Sequence, residues 1–141
     1  MAGAINKILV PIDGSKNSLK GMDEAIKLSK VIGSSITGLF VYNSPISVPT
    51  PLTKALKQQS IKEVKQILSK AKSRCEKNKI KFNEVLLDGS VGPTIVNYAR
   101  VNNYDYVVMS SRGMSPPKEF FLGSVSNHVL HTSKIPVILV R

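Results

Sequence analysis

Residues 107–126 of this 141-residue chain read VVMSSRGMSPPKEFFLGSVS and join the end of an apolar run to a loop and a helix start. The apolar run is typical of a buried strand, Gly113 lies in the loop, and Gly123-Ser124 opens a helical pattern. Helix N-termini present unpaired N–H groups and partial positive charge, and glycines let an anion come close to the backbone. Ser124 is also a good N-cap residue, so an ordinary helix cap is the alternative interpretation. The arrangement as a whole can hold a phosphate group.

The composition is that of one folded domain. Apolar residues make up 42% of the chain and charged residues 21%, and the length suffices to bury a core without disulfides or metals. Cys75 is the single cysteine, which excludes an internal disulfide and suits a reducing compartment. Residues 1–7 lack the pattern of a signal peptide, and no apolar run has the length of a membrane span. We therefore expect one cytoplasmic domain, residues 1–141.

Short apolar runs alternate with segments of helical period, which predicts parallel βαβ units with right-handed crossovers. The fold class is therefore α/β, a doubly wound, Rossmann-like, five-stranded parallel sheet with helices on both faces. The expected strands cover residues 7–12, 36–42, 82–87, 104–109 and 135–140. The third is less uniformly apolar than the others, which favours a sheet edge.

Proline, glycine and serine mark the expected ends of several elements. Pro11 belongs at the C-terminal end of the first strand because it cannot donate within a ladder. Ser15 and Gly33 suit the two caps of the first helix. Three prolines between residues 43 and 53 predict a surface loop, and Pro93 is expected as the first residue of a helix that runs to about residue 101. The last helix is expected at residues 124–132.

The net charge of +11 is concentrated in the segment from Lys54 to Lys81, which holds ten basic residues against Glu63 and Glu76. A solvated helix face is the favoured interpretation, because no aromatic residues are interleaved there for base stacking. Contact with nucleic acid or anionic lipid is the alternative. The apolar residues of this segment recur in steps of three and four, which predicts one buried helical stripe and an inert thiol at its end: Ile61, Val64, Leu68, Ala71 and Cys75.

Residues 110–124 also carry a family resemblance. The universal stress proteins have a nucleotide-binding signature Gly-x-x-Gly-x9-Gly-Ser/Thr, and this chain is similar in spacing and in every position except the first, where Ser110 replaces glycine. The segments 8–15, 123–126 and 135–141 also resemble their family counterparts. The resemblance spans essentially the whole chain. It implies the strand order 3-2-1-4-5, with a cleft between strands one and four, and a homodimer paired through the C-terminal strand, residues 135–140.

The resemblance further implies an adenine nucleotide, ATP or AMP with or without Mg, in this cleft. Asp13 is then expected to contact the ribose, although Asp-Gly also commonly forms a turn without any ligand. The glycine loop and the helix start would take the phosphates, partly through serine hydroxyl groups. The residues implied for binding are Pro11, Asp13, Val41, Met109, Ser110, Arg112, Gly113, Gly123, Ser124, Val125 and Ser126.

The function implied is a small regulatory or sensory protein of the stress response, without efficient catalysis. The alternative is a slow ATP-hydrolysing or adenylate-transferring enzyme of the related alpha-hydrolase superfamily. Neither a Walker loop nor a Gly-x-Gly-x-x-Gly motif is present, and apart from Asp13 the expected cleft offers no carboxylate for metal or base duty. His128 and His131 lie three apart but have no third ligand nearby in the sequence, so surface or packing roles are favoured over a metal site.

Ser110 is the position where this chain departs from the signature. Its Cβ and hydroxyl occupy a place where glycine leaves room for ribose and phosphates, and Pro116 and Pro117 stiffen the loop that follows. We therefore expect weaker ATP binding than in glycine-bearing members, with AMP less affected. A hydrogen bond from the serine hydroxyl to a phosphate would act in the opposite direction, by about 0.5 to 1.5 kcal/mol.

Overall fold

Strands and helices alternate along the chain in the computed structural model, which describes residues 6–13, 15–42, 51–111 and 123–141. None of the described helices is long and apolar enough to cross a lipid bilayer. The elements are β1 (Asn6–Pro11), α1 (Lys16–Ile32), β2 (Ser34–Tyr42), α2 (Pro51–Lys77), β3 (Phe82–Asp88), α3 (Val91–Val101), β4 (Tyr106–Ser110), α4 (Ser124–Thr132) and β5 (Val137–Val140).

The strands form one parallel sheet in the order β3-β2-β1-β4-β5, which confirms the predicted order and the edge position of β3. β1 pairs with β2 along its whole length, from Asn6 opposite Ser34 to Pro11 opposite Leu39. β1 pairs with β4 only at Ile8 opposite Tyr106 and Leu9 opposite Val107. Since the strand order reverses at this junction, the carboxyl ends of β1 and β4 separate where the fold class predicts a ligand site.

Each face of the sheet carries one pair of helices. α1 and α2 pack on one face through a core cluster that includes Met22, Leu68 and Cys75, whereas α3 and α4 pack on the other through Ile95 and Val129. Val64, Leu68, Ala71 and Cys75 are buried and Ile61 is half-buried, so the predicted stripe of α2 is confirmed from Val64 to Cys75. Burial, with a smaller effect of the neighbouring Glu76 charge, raises the pKa of the Cys75 thiol to about 11, which keeps it protonated at neutral pH.

The two predicted caps of α1 are confirmed. The Ser15 hydroxyl accepts a hydrogen bond of 3.3 Å from the Ser18 N–H, and Gly33 has a left-handed φ of 69°. Within the helix, a Cβ at Gly21 would lie 3.3 Å from the backbone N of Ser110 and 3.4 Å from the Cα of Met109. The absence of a side chain therefore lets α1 pack directly against the carboxyl end of β4.

Two predicted helix starts were wrong, for the same reason. α2 begins at Pro51, so residues 51–53 are helical rather than part of a loop, while residues 43–50 lie outside the described part of the chain. α3 begins at Val91, and Pro93 is its third residue. The N–H groups of a first helical turn have no acceptor within the helix, so proline fits any of these positions.

Three predicted strand starts were also wrong by two residues. β2 begins at Ser34 instead of 36, and Ser34 and Ser35 pair with Asn6 and Lys7 of β1. β4 begins at Tyr106 instead of 104, because the N–H of Tyr104 bonds to the carbonyl of Ala99 at 3.0 Å and closes the end of α3. β5 begins at Val137 instead of 135, because the N–H of Ile135 bonds to the Ser133 hydroxyl at 3.0 Å. Local hydrogen bonds thus engage the N–H groups of Tyr104 and Ile135, although the apolar character of both residues is typical of strands. The predicted bounds of α4, residues 124–132, are confirmed.

Candidate functional site

A cavity of about 310 Å³ lies at the carboxyl end of the sheet, where β1 and β4 separate. Its wall includes every residue implied for binding that the structure describes. Arg112 and Gly113 lie outside the described residues. The implied residues on the wall are Pro11, Asp13, Val41, Met109, Ser110, Gly123, Ser124, Val125 and Ser126.

Asp13 is exposed on this wall and also forms the turn into α1. Its Oδ1 accepts hydrogen bonds from the N–H of Ser15 at 2.8 Å and from the Ser15 hydroxyl at 2.5 Å. Within the described ranges, Oδ2 accepts no hydrogen bond. The turn interpretation and the site interpretation are therefore compatible, because the turn uses one oxygen and fixes the carboxylate at the cavity wall.

The N-terminus of α4 forms another part of the wall. Gly123 is the N-cap and Ser124 the first helical residue, so the prediction of Ser124 as N-cap was wrong. The Gly123 carbonyl already accepts the first bond within the helix, from the N–H of Asn127 at 2.8 Å. The N–H groups of Ser124, Val125 and Ser126 have no acceptor inside the helix. With the helix dipole they supply partial positive charge beside the cavity.

The side chain of Ser126 has a different role from the hydroxyl donor to phosphate that was expected. Ser126 is 3% exposed, and its Oγ donates to the carbonyl of Ser111 at 2.8 Å, with the carbonyl of Gly123 at 3.3 Å. A hydroxyl has one proton, so this proton is engaged within the protein. The backbone N–H groups and the exposed Ser124 hydroxyl are the donors that remain at this helix start.

Ser111 is a residue that the sequence reasoning missed. Its carbonyl accepts the N–H of Gly123 at 2.9 Å in addition to the Ser126 hydroxyl, and its N–H donates to the carbonyl of Val140 at 2.8 Å. It thereby fixes the start of α4 to the ends of β4 and β5. No sequence signal marks such a residue, because these bonds use its backbone atoms.

Apolar side chains complete the cavity, and several of them were not predicted. Part of the wall consists of buried apolar side chains, which suit a flat ring: Leu39, Val41, Ile95 and Met109, each at most 6% exposed. Leu39 could have been predicted from Val41, because residues two apart in a strand lie on the same face of the sheet. Val91 and Ile95 could have been predicted together, because residues four apart lie on the same face of a helix. The lining residues that sequence reasoning missed are Ile12, Ser18, Leu39, Phe40, Val91 and Ile95.

The ionisable groups near this site are few. Asp13 is the one carboxylate among the described residues of the wall. His128 packs against α3, since a Cβ at Gly92 would lie 2.7 Å from the His128 Cδ2, and His131 is exposed. In the described part of the chain, no three His, Cys, Asp or Glu side chains are grouped closely enough to hold a metal ion.

A parallel sheet with a cavity at its switch point and a helix N-terminus on the cavity wall defines a Rossmann-like α/β protein. The model of the universal stress protein family matches residues 4–141, and the chain belongs to this family.

Individual relatives match over nearly the whole chain. The universal stress protein YxiE of Bacillus subtilis (strain 168) is 32% identical over 152 residues, which cover 96% of this chain and 99% of YxiE. The solved structure of MJ0577, a protein of Methanocaldococcus jannaschii, is 26% identical, covers 96% of this chain and 94% of its own, and has a TM-score of 0.84.

Solved universal stress proteins similar to this chain also include nucleotide complexes. One has cAMP bound, with 22% identity and a TM-score of 0.74 over 99% of this chain and 98% of its own. One from Archaeoglobus fulgidus has dAMP, with 18% identity and a TM-score of 0.73 over 98% of each chain. One from Arabidopsis thaliana has AMP, with 18% identity and a TM-score of 0.72 over 96% of this chain and 90% of its own. At these identities the likeness shows the fold.

Proposed function

We propose that this chain binds an adenine nucleotide, ATP or AMP, in the cavity between β1 and β4 and acts as a regulatory protein of the stress response without efficient catalysis. The observation that carries the proposal is that Asp13 and the N-terminus of α4 lie on the wall of one cavity of about 310 Å³. The adenine nucleotides bound by universal stress proteins of the same fold support this choice of ligand.

Each part of the cavity matches one part of an adenine nucleotide. Oδ2 of Asp13 can accept hydrogen bonds from ribose hydroxyls while Oδ1 holds the turn. The buried Leu39 and Val41 suit the adenine ring, and the N–H groups of residues 124–126 suit a phosphate. By the family resemblance, Arg112 and Gly113 would also line this cleft. Any Mg would enter with the phosphates of ATP, since the described residues include no group of three His, Cys, Asp or Glu side chains that could hold a metal ion.

Thermal unfolding with ATP, ADP, AMP and cAMP tests the binding. A ligand present at a hundred times its Kd should stabilise the folded protein by about 2.7 kcal/mol. No shift with any of the four at millimolar concentration would count against the proposal.

Asp13→Asn provides the sharper test, because the amide oxygen can replace Oδ1 in the turn while the charge and the Oδ2 acceptor are lost. We expect AMP affinity to fall about tenfold or more, which corresponds to about 1.4 kcal/mol. Asp23→Asn is the matched control, since Asp23 pairs with Arg74 at 2.8 Å between α1 and α2 and is absent from the cavity wall. Equal losses in both variants would contradict a specific role of Asp13.

The enzyme alternative is distinguished by turnover. Phosphoryl transfer requires charge neutralisation and a positioned nucleophile, and among the described wall residues only Asp13 carries a carboxylate. Stoichiometric nucleotide binding without product release is expected. Sustained release of phosphate or AMP from ATP that Asp13→Ala abolishes would instead favour the enzyme.

We also propose a homodimer paired through the C-terminal strand, residues 135–140. β5 ends the strand order, and the side chain of Ile138 is 38% exposed. An apolar edge strand is an aggregation hazard unless another chain pairs with it, and a two-fold axis satisfies both edges. Light scattering should give a dimer, and Ile138→Lys should weaken it. Val101→Lys is the control, because Val101 is 58% exposed on α3, and a monomeric wild type would contradict the proposal.

A further inference from the structure

The positive charge of this protein is concentrated on one side of its sheet. α1 and α2 share one core cluster and therefore one face. α2 contains eight Lys or Arg residues against two glutamates, whereas α3 and α4 together contain Arg100 as their one Lys or Arg and no acidic residue. The exposed lysines of α2 and of the turn after it are called the basic face: Lys62, Lys65, Lys70, Lys72, Lys77, Lys79 and Lys81.

Most of the charge on the basic face is uncompensated. Lys72 lies 4.0 Å from Glu76, and Arg74 is bound to Asp23 on α1. In the part of the chain that the structure describes, Lys62, Lys65, Lys70 and Lys77 form no ion pair. At 1.5 Å per residue, Lys62 and Lys77 are separated by about 22 Å along the helix axis. Unpaired cations spread over this length of the exposed side of α2 are suited to a long anion.

We propose that the basic face binds double-stranded nucleic acid through its phosphate groups. A duplex carries one negative charge per roughly 1.7 Å of its axis, so about 22 Å of α2 faces several phosphates. Lysine acts as a point charge, and the arginine of α2, which could read a base edge in bidentate geometry, is engaged by Asp23. Binding independent of base sequence is therefore expected.

A duplex fits this face better than a single strand does. Binding of single strands relies on aromatic side chains on which bases stack. Neither α1 nor α2 contains a Phe, Tyr or Trp residue. Without aromatic residues for stacking, these two helices can contact a nucleic acid mainly through its phosphate groups.

A duplex also fits better than an anionic membrane. Helices that lie in a membrane interface insert an apolar face, and binding scales with the apolar area inserted. The apolar stripe of α2 is buried in the core, with Leu68, Ala71 and Cys75 at 0% exposure. Among the described residues of α1 and α2, Val31 is the exposed large apolar side chain. Little apolar area is left for insertion.

This surface is separate from the nucleotide cavity, because none of the lysines of the basic face lies on the cavity wall. The test is fluorescence anisotropy with a labelled DNA duplex of about 24 base pairs and arbitrary sequence, between about 50 and 200 mM salt. The affinity of the wild type should fall steeply along this range.

A matched pair of triple variants distinguishes binding by the basic face from attraction by the net charge of the protein. Lys65→Gln, Lys70→Gln and Lys77→Gln together should make the slope of log K against log salt shallower by about 2.7, so that the loss of affinity across this range is about fortyfold smaller. Arg100→Gln, Lys134→Gln and Arg141→Gln remove the same charge from exposed positions outside α1 and α2. This control should change the slope by less than about 1.

Three outcomes would overturn the proposal. The first is no duplex binding at about 50 mM salt. The second is an equal change of slope in both triple variants, which would indicate attraction by net charge alone. The third is binding to phosphatidylserine-containing vesicles without binding to the duplex, which would indicate a membrane surface instead.

Discussion

The two sides of β1 differ in how far they are paired. On the β2 side the ladder runs the full length of β1 and extends to the N–H of Ile12, which bonds to the Leu39 carbonyl at 2.8 Å. On the β4 side the pairing covers Ile8 and Leu9 only. One strand thus contributes both to a closed sheet and to an open cleft. We expect substitutions in the β1–β2 ladder away from the cavity wall to change stability, and substitutions around the open cleft to change ligand binding.

Ile36→Ala should have the largest effect and act on stability alone. Ile36 lies in β2 opposite Ile8 and Phe82 and is 0% exposed, so its truncation leaves a cavity in the core. We expect the free energy of unfolding in urea to fall by about 2 to 5 kcal/mol. Under conditions in which the variant stays folded, its affinity for AMP should match the wild type. A parallel loss of affinity would contradict the separation of the two sides.

Ser126→Ala should cost about 0.5 to 1.5 kcal/mol of stability, because the carbonyl of Ser111 loses a buried hydrogen bond of 2.8 Å. Ser124→Ala is the control, since its exposed side chain is expected to matter less than about 0.5 kcal/mol for unfolding. Urea unfolding measures both variants. Equal costs would show that the Ser126 hydroxyl does not fix the start of α4.

Gly21→Ala, beside the open cleft, should lower AMP affinity while leaving the stability of the fold nearly unchanged. The added Cβ would meet backbone atoms of Met109 and Ser110, so α1 and the end of β4 must move apart by a few tenths of an ångström. We expect AMP affinity to fall about fourfold, or about 0.8 kcal/mol. Stability should change little, because alanine favours the helix by up to about 1 kcal/mol and offsets the strain.

Calorimetric titration with AMP measures this effect, and thermal unfolding measures stability. Lys20→Ala, at an exposed position of the same helix, is the control. Unchanged AMP affinity in Gly21→Ala would show that the contact between α1 and β4 does not position the cavity wall.

Ser110→Gly should have the smallest effect, and it should change the affinity for ATP more than the affinity for AMP. Removing the side chain clears space at the cavity wall where the family signature has glycine. We expect ATP affinity to rise about threefold, which corresponds to about 0.65 kcal/mol, and AMP affinity to rise less. Calorimetric titration of both nucleotides measures the difference. Unchanged or lower ATP affinity in the glycine variant would mean that the steric argument is wrong.

The fold could be predicted from the sequence because alternation of apolar runs and helical periods defines βαβ units, and the family resemblance supplied the strand order. Element ends were less predictable. Pro51 and Pro93 indicate a first helical turn but not the position within it, since all N–H groups of that turn lack helical acceptors. Tyr104 and Ile135 have the apolar character of strand residues, yet each makes a backbone hydrogen bond outside the sheet.

The part of the candidate site that could be predicted consists of residues marked by their side-chain type or by their position in the family signature. Asp13 and Ser124 are recognisable from the sequence, and both lie on the cavity wall. The engagement of the Ser126 proton by Ser111 was not predictable, because it depends on a carbonyl that comes close only in the folded chain. Which hydroxyl is left for a ligand is thus decided by tertiary structure.

The carbonyl of Ser111 has a consequence for how this protein can diversify. It accepts the N–H of Gly123 at 2.9 Å, so Ser111 and Gly123, twelve residues apart in the sequence, are held together in the fold. Lengthening a loop whose ends are already held together costs little, since closure entropy grows only with the logarithm of length. Insertions and deletions between these two residues are therefore a route by which evolution can change ligand preference while the sheet keeps its register.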